Sequence, residues 1–331
     1  MRVAVVAGAR PQFVKAAALL PALRARGEAI LVHTGQHDDP RMVEAHFAGL
    51  ALAPPDHRLD VASRERPARL AEMVDGLTRL LERHPVDRVL ALGDADSAVA
   101  AAVAASFREI PVAHVEAGAR SGERELPEER NRILVDEASD LFFCSTDAHA
   151  RNLDGLDGVH VTGDVMADVL LARLGALPRR HGDYAVLTLH RAGTADDPAA
   201  VARVLAAAAG AGCPVVFPRH PRTRVGALPG NVAEAPPLPY LEFLGLVAGA
   251  RFALTDSGGL QKEAYLLGVP CITLRDATEW GETVDVGWNV LVGTDPERIA
   301  KALRSPPRGP GRPALYGDGH AAERIAALLA G

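Results

Sequence analysis

Short, nearly uninterrupted apolar runs alternate along this chain with longer stretches of helical periodicity, and that alternation restricts what it can fold into. In the first half the runs are Val3–Gly8, Ile30–Gln36, Arg88–Asp94, Val112–Gly118 and Leu141–Ser145. A run without polar alternation suits a strand covered on both faces, as in a parallel sheet. Helical patterns over Pro11–Arg26, Arg66–Arg83 and Ser97–Arg108 separate the runs and are long enough to serve as crossovers. Such crossovers are right-handed, so the pattern predicts a doubly wound α/β sheet.

The pattern pauses over Thr162–Asp183, where Gly, Pro and charge collect. It restarts with Ala185–His190, Pro214–His220, Phe252–Ser257, Cys271–Arg275 and Asn289–Val292. A chain of 331 residues has room for two domains of this kind. The expected division is 1–168 and 169–313, with Ser305–Pro313 (SPPRGPGRP) as a linker and a last helix within 314–331.

The formal charge of −6 argues against nucleic acid or an anionic membrane surface as the main partner. No apolar run approaches the ~20 residues of a membrane helix. The first apolar segment is too short for a signal-peptide core, and Arg10 and Lys15 follow it at once. Cys144, Cys213 and Cys271 lie far apart with no CxxC, which excludes a disulfide framework and a thiolate zinc site. The expectation is a cytoplasmic, soluble enzyme.

Ligands of open parallel sheets bind beyond the carboxyl ends of the strands, and here those ends are unusually polar. They read Gly8-Ala9-Arg10 with Lys15 one turn on, Thr34-Gly35-Gln36-His37, Gly93-Asp94, and His114-Val115-Glu116. In the second half they read His190-Arg191, Arg219-His220-Pro221, Asp256-Ser257-Gly258-Gly259 and Arg275-Asp276. Ordinary loops would scatter Ser, Asn and Lys over these places. Repeated charge and imidazole predict one cleft between two sheets.

The Ser257-Gly258-Gly259 turn enters an expected helix. Glycines admit an anion to the backbone, and a helix start offers unpaired N–H groups and a positive dipole end, which suits a diphosphate. An ordinary Ser-Gly-Gly turn reads the same way, so the signal is weak by itself. Glu263, about one and a half turns on, could accept both hydroxyls of a ribose; the bland alternative is a solvated helix residue. No GxGxxG opens either domain, which disfavours a nicotinamide cofactor.

Asp94 and Glu116 end strands, while Glu128 begins a helix at Pro127-Glu128-Glu129, where an acid complements the dipole. The alternative is that the three carboxylates face one site and raise one another's pKa for proton transfer. Neither HExxH nor a fixed-spacing acidic pair points to a metal. Among the histidines, His37, His114, His190 and His220 lie at strand ends, whereas His149, His160, His181 and His320 do not. His190-Arg191 joins a possible general acid to a phosphate-binding fork.

The segments GARPQFVKAAALLPAL, TGQH, LALGDADS, PVAHVEAGARSGERELPEERNR, LTLHR, HPRT and TDSGGLQKEAYLLGVPCITLRDATEWGE resemble, in the same order, the bacterial non-hydrolysing UDP-N-acetylglucosamine 2-epimerases. The likeness runs from residue 8 to residue 325, and HVEAG…PEE.NR with TDSGG.Q.E is its most specific part. It implies two Rossmann-like domains in the GT-B arrangement, the last helix packing back on the first domain, a homodimer, a UDP-sugar substrate, and no metal or other cofactor. By motif position, Asp94, Glu116 and Glu128 resemble the catalytic carboxylates and His190 the essential histidine. Arg10, Lys15 and Arg132 resemble partners of the substrate's charged groups, together with His220 and Arg275. Ser257, Gly258 and Gly259 resemble diphosphate contacts and Glu263 the ribose contact.

The chain departs from the family pattern at Gln12 (commonly Glu), at Ala95-Asp96 in GDADSA (commonly Thr-Asn), and at Trp280-Gly281 (commonly Arg-Pro). These departures bear on the sugar. A diacetamido uronate carried on UDP, a hydrolysing outcome that releases N-acetylmannosamine, and a GT-B glycosyltransferase are the competing expectations.

Overall fold

The computed structural model describes residues 1–36, 49–180, 182–220 and 223–331. His37, His181 and Pro221 lie outside the described residues. Cα packing separates Met1–Ala172 plus Ala314–Gly331 from Arg173–Pro313. The first divide falls at the end of a helix, Val165–Arg173, rather than at 168/169, because residue 168 lies inside that helix.

The first unit holds seven strands: β1 (Arg2–Ala7), β2 (Glu28–His33), β3 (His57–Arg58), β4 (Arg88–Leu92), β5 (Val112–Val115), β6 (Leu141–Cys144) and β7 (Val159–Val161). Their order is β3-β2-β1-β4-β5-β6-β7, and every pairing is parallel. The second unit holds β8 (Ala185–Thr188), β9 (Val215–Pro218), β10 (Val232–Ala235), β11 (Ala253–Thr255), β12 (Cys271–Thr273) and β13 (Asn289–Leu291). Their order, β10-β9-β8-β11-β12-β13, repeats the Rossmann pattern. Both units are therefore doubly wound parallel α/β layers, as the apolar runs predicted.

Central strands are buried along nearly their whole length, such as Val3–Ala7 and Val89–Leu92, because helices cover both faces. Each large aliphatic side chain so buried contributes roughly 1.5–3 kcal/mol of transfer free energy. The last helix, Ala321–Ala330, packs against helix Arg10–Arg24 in the first unit. Asp168 accepts the N–H groups of Ala321 (3.1 Å) and Ala322 (2.8 Å), so a buried carboxylate holds the start of that helix. Among the described residues no helix is long and apolar enough to cross a membrane.

The winding reverses between β1 and β4 in the first unit and between β8 and β11 in the second. Crevices at such switch points, beyond the carboxyl ends of the strands, are where this architecture takes its ligands. Gly8–Arg10 and Gly93-Asp94 follow β1 and β4; His190 and Asp256-Ser257 follow β8 and β11.

Candidate active site

At the first switch point Gln12 organises the turn after β1. Its Oε1 accepts the N–H groups of Gly8 (2.7 Å) and Ala9 (2.9 Å) and the Ser97 hydroxyl (2.7 Å), while Nε2 donates to the Leu92 carbonyl (2.8 Å). A carboxylate at this position lacks that last donor. The departure to Gln12 thus joins the ends of β1 and β4 without burying a charge.

Gly93 follows β4 with a φ of +62°, and a Cβ there would come within 2.5 Å of Lys15 Nζ. Glycine lets the buried ammonium pass over the strand end and meet Glu116 Oε1 at 2.9 Å. Glu116 itself has a φ of +72°, a left-handed conformation that a non-glycine residue keeps only under constraint from its surroundings. The strain aims its carboxylate off the end of β5.

Asp94 Oδ2 meets Arg132 Nη2 at 2.5 Å, and Arg132 Nη1 meets Glu129 Oε2 at 2.9 Å. Both Arg132 and Glu129 are buried on helix Pro127–Glu137. Burial pushes the Glu129 carboxyl upward, but the Ser121 and Gly122 N–H groups and the Arg132 charge outweigh it and hold the group below its usual range. Glu128, one residue earlier, is only half-buried and accepts no hydrogen bond from another described residue.

Both acids lie in the first turn of helix Pro127–Glu137, where they complement its dipole, and Glu129 also ties down the preceding loop. Asp94 and Glu116 each meet a cation of their own, and Lys15 and Arg132, expected as substrate contacts, spend charge on those carboxylates.

His114 belongs to the scaffold. It is fully buried, with Nδ1 2.6 Å from Asp136 Oδ1 and Nε2 2.9 Å from the Gly93 carbonyl. Burial favours the neutral Asp136 carboxyl, yet His114 and then Arg120 prevail and hold it below the ordinary range.

In the second unit Asp256 is fully buried and accepts the backbone N–H groups of His190 (3.0 Å) and Arg191 (3.0 Å). Its Oδ1 also lies 3.0 Å from His190 Nδ1. His190 is 40% exposed, so the ring is anchored on one edge and open on the other. The His220 ring centroid is 6.2 Å from that of His190, and His220 is exposed.

Ser257 caps helix Gly258–Leu267 by accepting the Leu260 N–H (3.3 Å). A Cβ at Gly258 would collide with Glu279 Oε1, whereas Gly259 faces open space. Glu279 is buried and meets Arg275 Nη1 at 2.8 Å and Arg191 Nη2 at 3.5 Å. Two guanidinium groups and a helix N-terminus therefore converge on one carboxylate. Sequence reasoning missed Glu279: Arg275 is only four residues away, but Arg191 is 88 residues away and no local pattern marks the convergence.

Glu263 is buried, which removes the solvated-helix alternative, and it accepts the Tyr240 hydroxyl at 2.9 Å. Trp280 is buried with Lys262 Nζ 3.8 Å from its ring centroid, a cation–π contact that an arginine at this position would replace with repulsion. Arg10 is exposed at the start of its helix. Among the described residues no group of three or more His, Cys, Asp or Glu is placed to hold a metal ion.

The chain matches the family described as UDP-N-acetylglucosamine 2-epimerase over residues 22–330. It is 38% identical to a UDP-2,3-diacetamido-2,3-dideoxy-D-glucuronate 2-epimerase of Pseudomonas aeruginosa, over 100% of this chain and 99% of that one. It is 36% identical to a UDP-N-acetylglucosamine 2-epimerase homolog of Methanococcus maripaludis, over 99% of each chain. The crystal structure of the Methanocaldococcus jannaschii UDP-GlcNAc 2-epimerase, in complex with UDP-GlcNAc and UDP, superposes with a TM-score of 0.93 at 32% identity, covering 99% of each chain. Family match and whole-length likeness agree: the chain belongs to the UDP-N-acetylglucosamine 2-epimerase family.

Proposed function

We propose that this protein interconverts UDP-N-acetylglucosamine and UDP-N-acetylmannosamine by inverting C2, without hydrolysis and without an added cofactor. The observation that carries this reading is the pair of carboxylates at adjacent strand ends. Asp94 follows β4 and Glu116 follows β5, each held by its own buried cation. Two fixed carboxylates suit a reaction that takes a proton from one face of a carbon and returns one to the other.

In the proposed reaction a carboxylate of the Asp94, Glu116 and Glu128 set removes the C2 proton. The C–H electron pair forms the C1–C2 double bond, and the C1–O bond breaks with its pair going to the diphosphate. The products of this half are 2-acetamidoglucal and UDP. In the return half a diphosphate oxygen attacks C1 while C2 takes a proton on the opposite face. The C2 hydrogen is barely acidic, so stabilising the departing diphosphate supplies much of the rate.

We assign that task to the second unit: His190, His220, Arg275, and the helix start at Ser257, Gly258 and Gly259. Glu263 is assigned the ribose diol. Arg10, Lys15 and Arg132 are assigned the charged groups around the sugar, Lys15 and Arg132 acting through the carboxylates they hold.

A second sugar has a specific observation behind it, because the relative at 38% identity is named for a diacetamido glucuronate carried on UDP. Incubating the pure protein with each UDP-sugar separately, with proton NMR of the products, tests the proposal. UDP-N-acetylmannosamine formed from UDP-N-acetylglucosamine alone is expected. Turnover of the uronate only would move the substrate, free N-acetylmannosamine would make the enzyme hydrolysing, and dependence on an acceptor would make it a transferase.

A further inference from the structure

Asp96 is the residue by which GDADSA adds a charge to the family pattern, and it is almost entirely buried. Arg66 grips it with Nε (3.0 Å to Oδ1, 3.1 Å to Oδ2) and Nη2 (2.8 Å to Oδ1). Arg69 Nη2 adds a contact at 3.3 Å and Asn131 Nδ2 one at 3.1 Å. Burial alone would raise this carboxyl, but the Arg66 and Asn131 hydrogen bonds hold it below its ordinary range.

Asn131 continues the chain of contacts toward the candidate chemistry. Its Nδ2 also donates to the Asp94 carbonyl (2.8 Å), and its Oδ1 accepts from Arg66 Nη2 (3.0 Å). The next residue, Arg132, grips the Asp94 side chain. Glu128 precedes Asn131 by one helical turn on helix Pro127–Glu137, and its charge acts on Arg66. The groups facing this cluster are Arg66 and Arg69 from helix Arg66–Arg83, and Glu128, Glu129 and Arg132 from helix Pro127–Glu137. Asp94 faces it from the end of β4, with the Lys15–Glu116 pair beyond.

We infer that Asp96 is a positioning residue of the epimerisation site. It fixes Asn131 and thereby the Asp94–Arg132 pair, and it keeps the Arg66 guanidinium from turning onto Glu128. The inference rests on the proposed roles of Asp94 and Glu128. A plain helix-capping role for Asp96 would require neither the two-pronged Arg66 contact nor the branch through Asn131 to the backbone of Asp94. Arg66 and Arg69 are partly exposed, at 43% and 23%, so water can take over their charges when Asp96 is neutralised and the variant is expected to fold.

The test uses Asp96→Asn and the double variant Asp96→Asn/Arg66→Gln, which restores the charge balance. In Asp96→Asn, kcat should fall about ten- to a hundredfold, as slight misplacement of a catalytic group does. KM should stay within about twofold, because ground-state contacts are untouched. The unbalanced guanidinium should move the pH–rate profile toward acid by on the order of one pH unit. The double variant should return the profile toward its wild-type position. Unchanged kcat with an unmoved profile would overturn the inference and leave Asp96 a packing anchor for Arg66 and Asn131 only.

Crystal structures of wild type and Asp96→Asn decide the matter without turnover, so an inactive wild type would defeat the proposed function alone. Arg66 turned toward Glu128 is expected. Arg66, Asn131 and the Asp94–Arg132 pair all in place would contradict the inference.

Discussion

Asp256 Oδ1 lies 3.0 Å from His190 Nδ1, and the same buried carboxylate binds the His190 backbone N–H. An acceptor-only partner fixes a hydrogen on Nδ1 and leaves Nε2 as the working edge of the ring. Asp256→Asn keeps the volume but can present an NH2 group to Nδ1, which favours the other tautomer. Turnover should fall about 10²–10⁴-fold, the range of a misassigned acid–base group. A coupled assay for UDP-sugar epimerisation measures it, and near-wild-type activity would reduce Asp256 to a loop anchor.

Glu116→Gln should lower turnover by at least about 10²-fold, since the amide keeps shape but loses basicity. It also strands Lys15, and breaking a buried ion pair by removing one partner typically costs about 3–5 kcal/mol. The variant should therefore melt well below wild type while calorimetry finds UDP affinity nearly unchanged. Adding Lys15→Met should recover melting temperature but not turnover. Recovery of both would make Glu116 a structural carboxylate.

Glu263→Gln should weaken UDP binding by roughly ten- to a hundredfold, the effect of losing a charged hydrogen-bond partner worth about 1.5–3 kcal/mol. Tyr240→Phe removes the hydroxyl that donates to Glu263 and should have a smaller effect of the same sign. Titration calorimetry with UDP reads both, and an unchanged affinity in Glu263→Gln would take Glu263 out of the site.

Asp136, Glu129 and Asp96 have folded-state pKa values below their ordinary ones. A carboxyl depressed by folding contributes stability that is complete above its unfolded pKa and is lost as pH falls through the folded one. The protein should thus hold its melting temperature down to about pH 5 and lose it progressively below about pH 4. Asp136→Asn should flatten that acid slope in a series of thermal melts; an unaltered slope would mean His114 and Arg120 leave Asp136 unperturbed.

The strands that carry the site were legible as apolar runs: β4, β5, β8 and β11 lie within the segments expected, and β1 begins one residue before its run. β3, β7 and β10 were not. β7 is only Val159–Val161 with Val161 exposed, and β10 has two exposed residues of four, so neither has the doubly covered pattern. Asp94, Glu116, His190 and Ser257 could be picked out because strand ends are where such sheets bind ligands. Their partners could not. Asp256 reaches His190 across 66 residues, Lys15 reaches Glu116 across 101, and no local pattern records such pairs. Adjacent Glu128 and Glu129 look alike in sequence, and only the helix's orientation sends one inward.

The most direct test of the central claim is the reaction of UDP-N-acetylglucosamine in D2O, followed by proton NMR and mass spectrometry. Removal and return of the C2 proton should place one deuterium at C2 of both UDP-N-acetylglucosamine and UDP-N-acetylmannosamine, with none elsewhere on the sugar. UDP-N-acetylmannosamine formed with its C2 hydrogen retained would contradict proton transfer by Asp94, Glu116 and Glu128, and with it the account of the site.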